Sequence, residues 1–397
     1  MRIAYVVPEF PGQTHAFFWR EILHLRKLGV QLKLISTRHP PRALISHDWA
    51  EQAISETTYL ARLGPLSVLG SLWEILRSQN RMSLAKNALS SPKILAATLC
   101  AGRLARIARH EELTHAHSHS CGNSALIAML AKKIMGLRYS LTLHGPLEDY
   151  GDQQSEKFRE ADFATTITES LKQSIRDQLG DAAPRRIGIA PMGIDLDRFK
   201  RSEAFISWSG GPLRLFSCGR LNLIKGHQDT IQAVRLLRAR GIDARLTIAG
   251  EDDAGGSGFR STLIAAIEDL PVTLLGAVSE ARIVTELERS HFFVLASWRE
   301  PLGVAIMEAM SCGVPVISTN AGGVPELIED GKTGILVQPR EPTMLADAIE
   351  HLMHDKFLQE TLSRLGRERA EESFSSERSA RELFRLLCAS HNPYVLE

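Results

Sequence analysis

The amino-acid sequence predicts an α/β protein built from two doubly wound parallel-sheet domains, and three observations carry that prediction. A chain of 397 residues is longer than one ordinary hydrophobic core supports. Short apolar runs alternate with amphipathic helical stretches from the first residues onward. The alternation pauses at a polar, Gly-containing stretch, residues 200–212, and restarts at Leu213. The expected boundaries are 1–199 for a first domain and 200–375 for a second, with 376–397 as a closing helical segment.

Composition narrows the function classes. The formal net charge is +1, which argues against a nucleic-acid binder of the bulk electrostatic kind. Five cysteines (Cys100, Cys121, Cys218, Cys312, Cys388) are scattered without a CxxC, so neither a disulfide framework nor a zinc knuckle is suggested. The chain opens directly into a strand, Arg2 to Val7, with no signal-peptide pattern, and no apolar run reaches membrane-spanning length. The expectation is a soluble cytoplasmic protein.

In the first half, strand 3–7 runs into Pro8-Glu9-Phe10-Pro11-Gly12-Gln13-Thr14-His15. A helix from Ala16 to Leu28, closed by Gly29, and a strand Val30 to Ser36 complete a βαβ start. A Gly-containing turn after the first strand is a usual ligand position, although no G-x-G-x-x-G is present to support a dinucleotide fingerprint. Residues 62–110 carry eight basic residues against the single acid Glu74, with Leu66, Val68, Leu69, Leu72, Trp73, Ile75 and Leu76 interleaved. Such a segment suits an anionic membrane surface; the competing reading is helices packed on their own sheet with arginines in solvent.

Next comes Thr114-His115-Ala116-His117-Ser118-His119-Ser120. Alternate histidines on a strand share one face, but no neighbouring Cys or acid completes a tetrahedral metal set, so a strand end feeding a crevice is the preferred reading. Strand Tyr139 to Leu143 ends in His144-Gly145-Pro146, which places His144 at a ligand-facing strand terminus. Strand 161–168 then leads at Thr168-Glu169-Ser170 into a helix to Leu179, and Ile187 to Gly193 closes the half. Asp195-Leu196-Asp197 resembles a metal-binding D-x-D, yet its place in a turn makes both residues turn formers.

The second half repeats the pattern with strand Leu213–Cys218, helix Asp229–Arg240, strand Arg245–Ala249, helix 259–269, strand 272–275, helix 279–289 and strand 292–296. Strand Val314–Ser318 and helices 344–354 and 356–370 follow. Arg220 and Lys225 lie in the loop after the first of these strands, where a bidentate Arg and a point-charge Lys facing a helix N-terminus make a diphosphate site. Pro301 breaks the strand that ends at Ala296, and a helix is expected from Leu302 to Ser311, closed by Cys312-Gly313. Glu300 then sits at that helix's N-terminus and Glu308 inside it, two carboxylates able to accept sugar or ribose hydroxyls. Gly303 lets a ligand approach the backbone. The plainer reading is a capping carboxylate and an unrelated helical Glu. The triplet Gly331-Lys332-Thr333 is not a P-loop, because its required first Gly falls at Glu326.

Five stretches, G-R-L-N-L-I-K-G-H, E-P-L-G-V-A-I-M-E, C-G-V-P-V-I-S-T, G-G-V-P-E-L-I and G-K-T-G-I-L-V, together resemble the retaining glycosyltransferases of family four, which have the GT-B fold. The likeness covers nearly all of 213–340 and is looser in the first half, where H-A-H, T-L-H-G and A-P-M-G-I-D are similar to family signatures. The opening P-G-Q-T-H-A-F-F-W-R-E-I is similar to the subgroup acting in exopolysaccharide and lipopolysaccharide assembly. That subgroup often has Ser-Glu-Thr where Gln13-Thr14-His15 stands here, and the family commonly has Asn in place of Met192.

The resemblance implies two Rossmann-like domains facing across a crevice, with the final helix, about 376–389, crossing back to the first. Arg220 and Lys225 would hold the diphosphate of a nucleotide-sugar, Glu308 the ribose and Glu300 the donor sugar's hydroxyls. Backbone amides of Leu302, Gly303 and Val304 would face phosphates or sugar, and groups around Val278 the base. His144 would lie near the donor sugar, and Gly12, Gln13 and Thr14 on the acceptor side. The implied reaction is retaining, without metal or cofactor: transfer from a UDP- or GDP-sugar to a saccharide or lipid-linked saccharide. Rival readings are a phosphorylase or epimerase on the same scaffold and a catalytically idle nucleotide-sugar-binding module.

Overall fold

The structure is a computed structural model that describes residues 1–12, 15–40, 47–252 and 258–391. The chain forms two compact units. The first gathers Met1–Pro40, Trp49–Pro191 and the chain from Ser379; the second holds Met192–Arg378 with a short stretch ending at Asp48.

The first unit is a seven-stranded sheet in the order β3-β2-β1-β4-β5-β6-β7, parallel throughout. Its strands are β1 (Arg2–Glu9), β2 (Gln31–Arg38), β3 (Thr58–Tyr59), β4 (His115–Ser118), β5 (Arg138–Leu143), β6 (Ala164–Thr166) and β7 (Ile187–Ile189). Parallel strands are covered on both faces, which is why β1 reads as an unbroken apolar run, Ile3 to Val7, all buried. Helix Ala16–Lys27 lays Phe18, Trp19, Ile22 and Leu25 on this sheet. The last helix, Ser376–His391, adds Leu383, Leu386 and Leu387 to the same apolar cluster. Between β3 and β4 the basic segment resolves into three helices, Pro65–Arg77, Arg81–Ala88 and Pro92–His110. Ser91 caps the third by accepting from the Ile94 amide at 3.2 Å.

The second unit is a six-stranded parallel sheet in the order β10-β9-β8-β11-β12-β13. Its strands are β8 (Leu213–Cys218), β9 (Ala244–Ala249), β10 (Val272–Gly276), β11 (Phe292–Leu295), β12 (Val316–Thr319) and β13 (Ile335–Val337). Strand β13 is absent from the sequence reading: three residues are too few to display a period. Asp195 closes a turn by accepting from the amides of Asp197 (3.0 Å) and Arg198 (3.1 Å), the turn-forming role expected of it.

Both sheets reverse their winding beside their own first strand, between β1 and β4 and between β8 and β11. At such a switch point the loops leaving the strands' carboxyl ends run to opposite sides and open a crevice. The candidate site of each unit lies on those loops.

Candidate functional site

In the second unit the loop after β8 is held rigidly. Asn222 Oδ1 accepts from the Lys225 amide at 3.1 Å and closes a single tight turn, Leu223–Lys225. Gly226 follows at φ +68°, and a Cβ there would fall 1.8 Å from the carbonyl oxygen of Ala296. His227 then begins the helix His227–Ala239; burial drives its imidazole down to about 4, so it is neutral at pH 7. The Trp298 amide donates to Ile224 O at 2.7 Å, tying this loop to the one after β11.

That second loop carries Glu300, whose carboxylate is buried. Its Oε2 pairs with the Lys225 ammonium and accepts from Ser297 Oγ at 3.2 Å. Two residues 75 apart in sequence thus meet across the β8/β11 switch point. The Glu300 carbonyl accepts from the Gly323 amide at 2.9 Å, and Gly322, at φ +60°, passes it so closely that a Cβ would lie 2.1 Å away. The loop after β12 therefore braces Glu300 from behind.

The helix expected from Leu302 begins at Val304 instead. Gly303 holds φ +104°, outside helical geometry, and serves as an N-cap without a side-chain cap bond. Leu302 is buried in front of it. Glu308 is buried one turn inside. Its carboxylate faces the end of β8: the Cys218 thiol is pushed up to about 12 by burial and then by Glu308, with Lys225 opposing. Lys225, Glu300, Glu308 and the uncapped helix start therefore converge on one place. Arg220 follows β8 on the same loop, half-buried. Val278 lies in the loop after β10, at the far edge of the sheet from β11.

A feature the sequence reading missed also builds this edge. The loop after β9 comes so close that a Cβ on Gly250 (φ +143°) would meet Gly219 O at 1.9 Å. Its Glu251 pairs with Arg260 at 3.0 Å.

In the first unit the histidines of β4 share one face and bond to hydroxyls. His115 Nε2 and His117 Nδ1 each lie 2.7 Å from Ser140 Oγ, and His117 Nε2 is 2.8 Å from Thr142 Oγ1. Among the described residues no group of three or more His, Cys, Asp or Glu is placed to hold a metal ion. His119 Nδ1 lies 3.4 Å from His144 Nε2, and its Nε2 lies 3.0 Å from Glu21 Oε1. Tyr5 donates to the same Glu21 oxygen at 2.7 Å. His144 Nδ1 is buried without a hydrogen-bond partner among the described residues. Gly12 is buried beneath His15, and Gln13 and Thr14 lie outside the described residues. Glu21 was not singled out from the sequence, though the signal was present. Phe18, Ile22 and Leu25 form the buried face, and Glu21 falls in phase with them.

Burial holds His119 and His144 down to about 3 and His115 and His117 well below the usual range. In the unfolded chain each titrates near 6.5, so below that pH the unfolded state binds protons that the folded state refuses. The stability contributed by these neutral imidazoles is complete above about pH 6.5 and is lost as pH falls toward 3, by about 2 kcal/mol each for His119 and His144 at pH 5. Glu21, whose carboxyl burial pushes up, acts in the opposite sense: the folded state binds its proton more readily than the unfolded state, so its contribution grows as pH falls through its raised folded pKa toward its ordinary range. We expect the melting midpoint to drop steeply between pH 6.5 and 4.5, and His119→Gln to flatten that slope in melts followed by circular dichroism. An unchanged slope would mean that the cluster is not what titrates.

Comparison with known proteins adds to this geometry. Residues 199–370 match the family model described as Glycosyl transferases group 1, and residues 15–198 match Glycosyltransferase Family 4. The chain is 34% identical to a D-inositol 3-phosphate glycosyltransferase of Paenarthrobacter aurescens over 49% of its own length and 50% of that relative. It spans about half the length of the curated relatives of that kind. A glycosyltransferase of Escherichia coli strain K12, WcaL, provisionally named for colanic acid biosynthesis, is 25% identical over 98% of this chain and 100% of its own. Among solved structures, Anabaena HepE in complex with UDP-glucose superposes with a TM-score of 0.76 at 18% identity, over 98% of this chain and 100% of that one. That likeness concerns the fold, two parallel-sheet domains of the GT-B class. Between them the two family models take in residues 15–370, and the chain belongs to the group 1 and family 4 glycosyltransferases that they describe.

Proposed function

We propose that this protein is a retaining glycosyltransferase that moves a sugar from a nucleotide-diphosphate-sugar to a saccharide or lipid-linked saccharide in polysaccharide biosynthesis, without a metal or other cofactor. The observation that carries the reading is the Lys225–Glu300 pair, a partly buried ammonium on a buried carboxylate at the switch point of the second sheet, beside an uncapped helix N-terminus. Breaking a sugar–phosphate bond builds negative charge on the departing diphosphate. Fixed positive groups, here Lys225 and Arg220, stabilise that charge as it develops. Amides of Leu302, Gly303 and Val304 at the helix start act in the same sense. Glu300 Oε2 is committed to Lys225 and Ser297, so we assign Oε1 to the donor sugar's hydroxyls. Glu308 is assigned to the ribose, groups near Val278 to the base, His144 to the sugar and Gly12 to the acceptor. His144, neutral at pH 7 with an unpartnered Nδ1, suits hydrogen bonding to an uncharged sugar. The acceptor oxygen bonds the anomeric carbon from the face that the diphosphate leaves and passes its proton to the departing phosphate, so the configuration is kept with neither an enzymatic nucleophile nor an enzymatic base.

The test is a panel of UDP-, GDP- and ADP-sugars with EDTA present. One UDP- or GDP-sugar at a hundredfold excess over its Kd should raise the melting midpoint by about 5 °C or more. It should also release sugar slowly to water and faster with saccharide acceptors. A shift without turnover under every acceptor would replace the enzyme by a binding module. No shift with any donor would overturn the diphosphate site.

A further inference from the structure

Helix Pro65–Arg77 is amphipathic in the wrong direction for a helix packed on its own core. It turns Ser71 and Glu74 inward, with Ile75, and Leu66, Leu69, Trp73 and Leu76 outward. The inward face lies hard against helix Pro92–His110: a Cβ on Gly102 would meet Ser71 O at 2.6 Å, and Arg109 reaches Glu74 Oε2 at 3.2 Å. Packing of this kind fixes which face is out. The apolar surface continues past the helix through Met82, 78% exposed, and Leu89, 85% exposed. Of the sixteen large hydrophobic side chains exposed among the described residues, eight fall between Leu66 and Leu95. An exposed apolar patch of this concentration marks a binding surface.

Charge selects the occupant. Arg62, Arg77, Arg81, Lys86 and Lys93 are exposed around the patch. The one acid between residues 61 and 110, Glu74, is buried under Arg109. A groove of about 580 Å³ at the edge of the patch is lined by Arg103, Arg106 and Arg109 against two acids, Glu74 and Glu111, so its balance stays basic. The Arg77 guanidinium stands 6.0 Å from the Trp73 ring centre, an aromatic–cation pair suited to the headgroup level of a bilayer. A second copy of this surface would bring like charges together, whereas an anionic lipid surface answers both the basic rim and the apolar centre. Among the described residues no helix is long and apolar enough to cross a membrane. Attachment by this patch is interfacial.

We propose that the surface formed by helices Pro65–Arg77 and Arg81–Ala88 docks the protein onto anionic membranes, with Leu66, Leu69, Trp73 and Leu76 entering the headgroup boundary. The inference stands independently of the donor site.

Full-length protein should co-sediment at low salt with vesicles of phosphatidylglycerol and phosphatidylcholine, and about tenfold or more weakly with phosphatidylcholine alone or at 0.5 M salt. Leu69→Ser/Trp73→Ser and Arg77→Glu/Arg81→Glu should each lower partitioning by about tenfold or more while leaving the circular dichroism spectrum and donor-induced thermal shift unchanged. Vesicles should blue-shift the tryptophan emission of the parent chain and not that of Trp73→Phe. Undiminished vesicle binding by both double variants would overturn the proposal, as would no binding at low salt. Concentration-dependent self-association abolished by Leu69→Ser/Trp73→Ser, without vesicle binding, would assign the surface to a second copy instead.

Discussion

Lys225→Met should lower sugar transfer by about three orders of magnitude or more, because it removes a fixed cation beside the charge that develops on the leaving diphosphate. The same substitution leaves Glu300 buried without its counter-ion, and breaking such a pair costs about 3 kcal/mol of stability. The two effects separate in the double variant Lys225→Met/Glu300→Gln, which removes both charges and keeps the volumes. Its melting midpoint should return toward that of the parent while transfer stays lost. Single-turnover rates and melts of the parent, both single variants and the double variant form the full cycle. Transfer by the double variant within tenfold of the parent would remove Lys225 and Glu300 from the chemistry.

Gly226→Ala and Gly322→Ala should each destabilise the second unit by about 3–5 kcal/mol and abolish the donor-induced thermal shift. Both glycines have positive φ, and both lie where a Cβ would collide with a backbone carbonyl, at Ala296 and Glu300 respectively. Neither carbonyl can yield without moving the loop that carries Glu300. Gly331 supplies the control: its φ is +72°, yet nothing lies within 4 Å of an added Cβ. Gly331→Ala should therefore cost only the conformational strain of about 1–2 kcal/mol. Urea unfolding of the three variants reads the difference. Equal costs at all three positions would show that the contacts between strand-end loops do not hold the site.

The elements near the second unit's site were legible in the sequence almost to the residue. Strands of four to six residues end before Gly219, Gly250 and Trp298; the last is apolar and buried throughout, the other two are mostly buried with one exposed arginine each, and their loops bear the polar side chains. The start of the helix at Val304 was displaced by two residues, because a Gly–Val junction carries no capping side chain to mark it. In the first unit the alternation His115, His117, His119 announces one shared face; hydroxyls of Ser140 and Thr142 take the nitrogens of His115 and His117, while His119 turns to His144 and Glu21. Glu21 was passed over because a charged residue in a helix is ordinarily a solvated one. Its phase with Phe18 and Leu25 is the sign that it turns inward, where its side chain keeps only 13% exposure.

By itself the sequence determined the periodic elements, their order and the polar loops between them, all of which depend on residues a few positions apart. Tertiary structure alone decided that β8 lies beside β11, which brings Lys225 to Glu300. It also turned Glu74 inward and Trp73 outward on a helix whose composition reads equally well either way. The physical reason is range. Backbone propensity and hydrophobic period are set within one turn or one strand, whereas strand order and the choice of buried face are set by the whole core competing for the same apolar surface.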